Sequence, residues 1–255
     1  MAEVVLVGGM PAGGKTTVTK RFVDQGYTRL NRDALGGKVN DLISPMLAAL
    51  RAGKNVVMDN LYATKASRAE VLKAAKDAGV DVHFVLMDTS LEDAQFNACC
   101  RMMERCGKIL DPEDHKDPKY KNDPNLFPVA VLYKYRKEFE KPSVAEGFAS
   151  VKTEKFVRVY PADWVNGAVI FDFDGTLIAE HNGEQRSVIA FLYCPHKVPP
   201  ITCYCRKPGP GMGVELIFKY KLDPRKCTYV GDMTTDKTFA ARCGFKFVDH
   251  SEYFR

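Results

Sequence analysis

The chain has 255 residues, 45% of them hydrophobic and 27% charged, with a formal net charge of +5. That length suffices for two compact domains with separate cores, and the composition excludes a disordered, collagen-like or disulfide-stapled chain. No apolar run approaches the roughly 20 residues of a membrane span, and the start MAEVVLVGGM lacks a basic leader, so a cytoplasmic protein is expected.

The first part alternates short apolar strands with helices. EVVLV at 3–7 reads as a strand and is followed by a helix beginning at Lys15. A strand around Tyr27 to Leu30 leads to a helical stretch near 39–51, then to strand NVVMD at 55–59. Helix KASRAEVLKAAKDAG at 65–79 carries Ala66, Ala69, Leu72 and Ala75 at helical spacing and ends on Gly79; strand VDVHFVLMD at 80–88 follows. Such alternation implies a parallel sheet covered by helices on both faces.

A helix from about Leu91 to Arg105 gives way to GKILDPEDHKDPKYKNDPN, which is rich in Pro, Lys and Asp and lacks a periodic apolar face. It reads as a lid at about 107–127, or equally as a solvated connection. Helix PVAVLYKYRKEFEK follows, and a second unit opens with AVIFDFDGTL. The expected division is 1–160 and 165–255. Of the eight cysteines, Cys99, Cys100 and Cys106 share the helix before the lid and Cys227 and Cys243 read as core; all five are expected as free thiols.

Between the first strand and helix, GGMPAGGKTT fits Gly-x4-Gly-Lys-Thr. Glycines at 9, 13 and 14 let backbone N–H groups turn toward phosphates, and the helix N-terminus adds a favourable dipole. Lys15 is expected to reach the β- and γ-phosphates of a nucleotide, and a hydroxyl of Thr16 or Thr17 to serve Mg²⁺. LNRDAL places Asp33 just after the second strand, where a carboxylate can act as general base for a hydroxyl acceptor; a helix N-cap aspartate is the competing reading. VVMDNL puts Asp59 and Asn60 at the end of another strand. Arg101 and Arg105, four apart on one helix face, are placed to neutralise phosphates, although helical arginines are more often simply solvated.

In the second unit, DFDGTL offers Asp172 as a nucleophile and Asp174 as acid/base for the leaving oxygen. Lys207 in CRKPGPGM would hold the phosphoryl group, and Asp232 and Asp236 in YVGDMTTD would complete a Mg²⁺ site with the first two carboxylates. Between these lies YCPHKVPPITCYCRKP, in which Cys194, His196, Cys203 and Cys205 suit a closed tetrahedral, hence structural, Zn²⁺; three buried thiols beside a surface histidine is the alternative.

Together the pieces GMPAGGKTT, NRD at 31–33, DNL at 59–61 and RMMERCG at 101–107 resemble the phage-type polynucleotide 5′-kinases that are fused to a 3′-phosphatase. The resemblance, over roughly residues 3–145, implies ATP as donor held by Lys15 with Thr16 or Thr17. It also implies Asp33 as base for the 5′-hydroxyl, Asp59 orienting the acceptor end, and Arg105 with Arg101 on the donor phosphates. The family usually has an arginine three residues after the base, where this chain has Gly36. The order Asp-x-Asp-Gly-Thr, Lys-Pro, Gly-Asp-x3-Asp looks like a haloacid-dehalogenase-type phosphatase, and the Cys/His stretch resembles the zinc loop of heptose-bisphosphate phosphatases in that superfamily. Only residues 178–193 separate the nucleophile motif from Cys194, too few for the usual passage ending in a Ser or Thr; Ser187 is the one candidate for that hydroxyl.

The expected fold is therefore α/β: a P-loop kinase domain with a parallel sheet, then a small, shortened haloacid-dehalogenase-like domain. The expected function is end-healing of DNA or RNA, with ATP, Mg²⁺ and structural Zn²⁺, functional pairing with a ligase, no membrane partner, and self-association left open. A bifunctional small-metabolite kinase/phosphatase is the alternative. A nucleotide-gated binding protein whose second domain has lost catalysis is the third reading.

Overall fold

The computed structural model describes residues 2–36, 38–172, 190–196 and 203–255. The chain divides into two compact units, Met1–Ala94 with Val131–Val157, and Gln95–Ala130 with Arg158–Arg255. In chain order the elements are β1 (Glu3–Gly9), α1 (Lys15–Asp24), β2 (Thr28–Leu30), the short α2 (Arg32–Leu35), α3 (Ile43–Arg51), β3 (Val56–Asp59), α4 (Lys65–Asp77), β4 (Asp81–Asp88) and α5 (Leu91–Cys106). They continue with α6 (Pro118–Lys121), α7 (Ala130–Glu138), β5 (Ser150–Lys155), β6 (Val169–Phe171), α8 (Gly211–Tyr220), β7 (Thr228–Gly231), α9 (Thr234–Cys243), β8 (Lys246–Asp249) and α10 (His250–Tyr253).

In the first unit the strands form one parallel sheet of order β2-β3-β1-β4-β5. The apolar run of β1 is continuous because both of its faces are covered. Val4 and Leu6 join Val56, Met58, Val82 and Phe84 in a layer with Met46, Val71 and Leu72 from α3 and α4. Val5 and Val7 join Val57, Val85 and Met87 in the opposite layer, against Val18 of α1. The central position of β1 brings its carboxyl end, and the loop that follows, to the middle of the sheet's carboxyl edge. β5 has no counterpart in the sequence reading. Its residues SVKTEK are mostly polar and part-exposed, and β5 is held by backbone pairing to β4 along one edge.

One unforeseen feature of this unit is Arg68 on α4, whose side chain is fully buried. It donates to both carboxylate oxygens of Glu146 at 2.8 and 2.9 Å, and to the carbonyls of Tyr62 (2.9 Å) and Glu140 (3.0 Å). Removing one partner of such a pair strands a charge in the interior, at a cost of roughly 3–5 kcal/mol. Arg68→Ala is expected to lower the stability of the first unit by that amount in denaturant unfolding; a loss under about 1 kcal/mol, the value of a surface pair, would contradict the reading.

The second unit has a three-stranded parallel sheet of order β6-β7-β8, with α8 and α9 among its helices. Residues 95–130, which the sequence reading places in the first domain, pack with this unit. Phe96 on α5 meets Tyr160, Tyr160 meets Trp164, and Trp164 meets Phe218 of α8 edge-on at 5.2 Å. The Arg158 guanidinium lies 4.0 Å from the Phe96 ring centroid. From the expected lid, Leu126 and Phe127 are buried, and the Phe127 carbonyl accepts from the Tyr204 hydroxyl at 3.2 Å. These aromatic contacts are what assign the segment. No helix among the described residues is long and apolar enough to cross a membrane.

Candidate phosphoryl-transfer sites

In the first unit Gly9 closes β1 and α1 starts at Lys15, so residues 10–14 form the turn between strand and helix. Ala12 (φ 57°) and Gly14 (φ 84°) are both left-handed and flank Gly13. Such alternation makes consecutive N–H groups converge into an anion-binding concavity, directly at the N-terminus of α1. The loop is braced from β4's far end, where the Thr89 hydroxyl donates to the Gly13 carbonyl at 2.8 Å. A side chain at Gly13 would stand 2.7 Å from the Met10 carbonyl oxygen, so this position admits only glycine. The Lys15 ammonium folds over the loop and donates to the carbonyls of Gly9 (3.0 Å) and Met10 (2.8 Å). Thr16 and Thr17 are exposed in the first turn of α1.

Asp33 lies in α2, beyond β2, and is exposed; Arg32 beside it donates to its carboxylate at 2.8 Å. The carboxylate is therefore accessible at the sheet's carboxyl edge, inside the first turn of α2. Asp59 ends β3 and is buried, and the structure gives it a partner that the sequence reading missed. Arg29 of β2 grips it with Nε and Nη2 at 2.9 and 2.7 Å. Those hydrogen bonds raise the Arg29 guanidinium above its ordinary value against the opposing effect of burial, and Asp33 adds attraction at longer range. Asn31 donates to the Asp59 carbonyl at 2.6 Å, and Asn60 is buried with its amide 3.4 Å from the Tyr62 hydroxyl. The first unit thus pairs Arg29 with Asp59, with Asp33 close enough to attract the same guanidinium. Gly36 sits at φ 78° with open space around it, a conformation that strains any other residue.

Arg101 and Arg105 lie on the part of α5 that belongs to the second unit. Burial first, and Arg105 second, hold the Arg101 guanidinium below its ordinary value. Arg105 forms an ion pair with Asp123 of the segment after α5.

The second unit gathers its chemistry at the ends of β6 and β7. Asp172 directly follows β6, and its N–H extends the pairing by donating to the Val230 carbonyl at 2.8 Å. Asp232 follows β7 and is exposed, whereas Asp236, in the first turn of α9, is fully buried and accepts from the Met233 N–H at 3.0 Å. Gly231 makes room for it, since a side chain there would come within 2.7 Å of Asp236 Cβ. The oxygens of Asp172, Asp232 and Asp236 lie within 4.8 Å of one another. A compact set of hard oxygen donors of this kind suits Mg²⁺.

Lys207 is the cation among these acids. Its ammonium donates to Asp172, to Asp236 at 2.6 Å and to the Tyr229 hydroxyl at 3.2 Å. Burial alone would lower it, but the bonds to Asp172 and Asp236 prevail and raise it above the ordinary lysine value, so it stays charged. Tyr229 is another residue that the sequence reading missed. Asp174 and Ser187 lie outside the described residues.

Cys194, His196, Cys203 and Cys205 converge as the spacing predicts, with one ligand atom from each within 4.8 Å of the others. His196 Nδ1 is 3.1 Å from Cys205 Sγ and 3.4 Å from Cys194 Sγ, and Cys194 Sγ is 3.4 Å from Cys205 Sγ and 3.7 Å from Cys203 Sγ. A tetrahedral Zn²⁺ with ordinary bond lengths requires ligand separations of about 3.5–3.8 Å, close to what the cluster presents. Cys99, Cys100, Cys106, Cys227 and Cys243 are free, as expected.

At the level of class, residues 4–101 match the family model described as AAA domain, in keeping with the phosphate loop and the parallel sheet. At the level of particular proteins, the chain is similar to the bifunctional polynucleotide phosphatase/kinase of Schizosaccharomyces pombe. It is 28% identical to that protein over 165 residues, 64% of this chain and 36% of that protein. A probable D-glycero-D-manno-heptose-1,7-bisphosphate 7-phosphatase of Thermoplasma volcanium is 41% identical over 61 residues, 24% of this chain and 41% of that protein. The matched part thus spans well under half the length of either relative. Among solved structures, a sugar kinase from Janibacter sp. HTCC2649 aligns with a TM-score of 0.45 at 16% identity, covering 61% of this chain and 86% of that one.

Proposed function

We propose that the chain heals broken nucleic-acid ends, phosphorylating 5′-hydroxyls from ATP in its first unit and removing 3′-phosphates in its second. The observation that carries this reading is the joint presence of two phosphate-handling sites in one chain. One is a strand–loop–helix anion site with Lys15; the other is a carboxylate cluster around Lys207. The similarity to a protein named for both activities supports it.

In the first unit the loop N–H groups and Lys15 would hold the ATP phosphates, with Thr16 or Thr17 toward Mg²⁺. Asp33 would take the proton of the acceptor hydroxyl, and Asp59 and Asn60 would shape the acceptor side. In the second, Asp172 would attack phosphorus and form an aspartyl-phosphate while the ester oxygen leaves with a proton from Asp174. Water, losing a proton to the Asp174 carboxylate, would then attack phosphorus, releasing inorganic phosphate and returning the Asp172 carboxylate. Asp172, Asp174, Asp232 and Asp236 would hold Mg²⁺, which would supply neutralising charge for the phosphoryl oxygens. Lys207, whose ammonium donates to Asp172 and Asp236, would bind the same oxygens. The products, 5′-phosphate and 3′-hydroxyl, are the pair a ligase joins.

A second reading has its own support. The Cys/His cluster and the similarity to a heptose-bisphosphate phosphatase favour a small sugar phosphate as substrate of the second unit. A panel decides: γ-labelled ATP with 5′-hydroxyl oligonucleotides, nucleosides and sugars, and phosphate release from 3′-phosphorylated oligonucleotides and sugar bisphosphates. Oligonucleotides are expected to lead in both arms. Preference for sugars in both would replace end-healing with metabolite chemistry.

For the Cys/His cluster we expect about one zinc per chain by metal analysis. Cys203→Ser is expected to lose the metal and to lower the melting temperature of the second unit, since metal-binding energy is folding energy there. Zinc-free protein with unchanged melting would reduce the cluster to packed thiols.

A further inference from the structure

The phosphatase-type site lacks, by sequence, the passage that usually brings a hydroxyl to it, yet a hydroxyl stands beside its lysine. Tyr229 is the second residue of β7, three positions before Asp232. Its residue is 3% exposed, its ring packs on Phe239 of α9 with centroids 4.9 Å apart, and Tyr229 Oη lies 3.2 Å from Lys207 Nζ and 3.4 Å from Asp236 Oδ1. We propose that Tyr229 is a positioning residue of this site, whose hydroxyl anchors the Lys207 ammonium where a phosphoryl group would meet it.

An ammonium has three donors, and Lys207 points them at Asp172, Asp236 and Tyr229. Two of these partners are carboxylates that the reaction needs for other tasks, Asp172 in attack and Asp236 in holding a cation. Tyr229 is the neutral partner, with no duty that competes with holding the lysine. Its ring is fixed between sheet and helix, so its oxygen does not move when the carboxylates change partners. The hydroxyl can accept from Lys207 while donating to Asp236, which ties the lysine to the buried acid through a rigid group. Without it the ammonium rests on a flexible four-carbon stem and on acids engaged elsewhere. A structural role alone, filling space against Phe239, needs the ring but not its oxygen.

This inference rests on the phosphatase reading of the second unit, and the test separates the two. Tyr229→Phe in the full chain keeps the ring packing. With a 3′-phosphorylated oligonucleotide and Mg²⁺, kcat is expected to fall about tenfold, the scale of one hydrogen bond to a charged group. Melting is expected to be nearly unchanged. In a Lys207→Ala background the same substitution is expected to add nothing further, because the hydroxyl acts through the lysine. Wild-type turnover in Tyr229→Phe, or an equal loss with and without Lys207, would overturn the proposal. Phosphate release that is the same in wild type and Asp172→Asn would instead refute the phosphatase reading. A turnover-free measurement then decides for Tyr229: acylation of Lys207 by an amine-reactive reagent, followed by peptide mass spectrometry. Loss of the anchor is expected to quicken that modification about fivefold, and an unchanged rate would overturn the proposal.

Discussion

Asp172→Asn is expected to abolish Mg²⁺-dependent phosphate release from 3′-phosphorylated oligonucleotides while leaving transfer from ATP to 5′-hydroxyl ends intact. Asp172 is fixed by its backbone bond to β7, and its carboxylate is held by Lys207. An amide in its place is not a nucleophile toward phosphorus and gives a cation one neutral oxygen where a carboxylate stood. The covalent route is therefore closed, and the loss should exceed about 10³-fold. Wild-type turnover itself is expected to be modest. A missing donor to the developing phosphoryl charge costs about 10²–10³ in rate, and the short connection between the nucleophile motif and Cys194 leaves out the segment that would bring one. Equal release by wild type and variant from every substrate tried would leave the second unit a binding or structural part.

The second large effect concerns the first unit. Asp33→Asn is expected to lower 5′-phosphorylation by about 10²–10⁴-fold, the range for removing a general base. ATP binding should persist, because the loop, Lys15 and α1 are untouched. Lys15→Ala should weaken both binding and transfer. The two substitutions thus differ in which quantity moves, and near-normal phosphorylation by Asp33→Asn would remove it from the base role. Asp33 is accessible and paired with its neighbour Arg32, so its replacement has little to disturb in the core.

Both sites were legible in the sequence where their residues are close together in the chain. The phosphate loop is one contiguous turn between a strand and a helix, and its glycines mark conformations that other residues resist. The carboxylates of the second unit were legible because each follows an apolar strand and their order along the chain is distinctive. The Cys/His cluster was legible from spacing, and the ligand atoms do converge. What stayed hidden depends on partners that only folding brings together. Arg29 finds Asp59 from 30 residues away, Thr89 braces Gly13 from 76, and Tyr229 meets Lys207 from 22. Arg68 reads as one more helical arginine until Glu146, 78 residues on, closes over it. β5 escaped because an edge strand held by backbone bonds needs no apolar alternation. The packing of residues 95–130 with the second unit turns on aromatic contacts such as Phe96 with Tyr160, which no local pattern announces.

The central claim, that one chain prepares both ends of a break, is tested most directly by ligation. Two single strands, one ending in a 3′-phosphate and one beginning with a 5′-hydroxyl, are treated with the protein, ATP and Mg²⁺. They are then annealed to a splint and given a ligase that requires 3′-hydroxyl and 5′-phosphate, in DNA and in RNA form. Sealing is predicted with the wild-type chain and is predicted to be lost in Lys15→Ala and in Asp172→Asn separately, then restored when the two variants are mixed. No sealing by the wild-type chain with either nucleic acid, while strands bearing ready-made 3′-hydroxyl and 5′-phosphate ends are joined, would contradict the account.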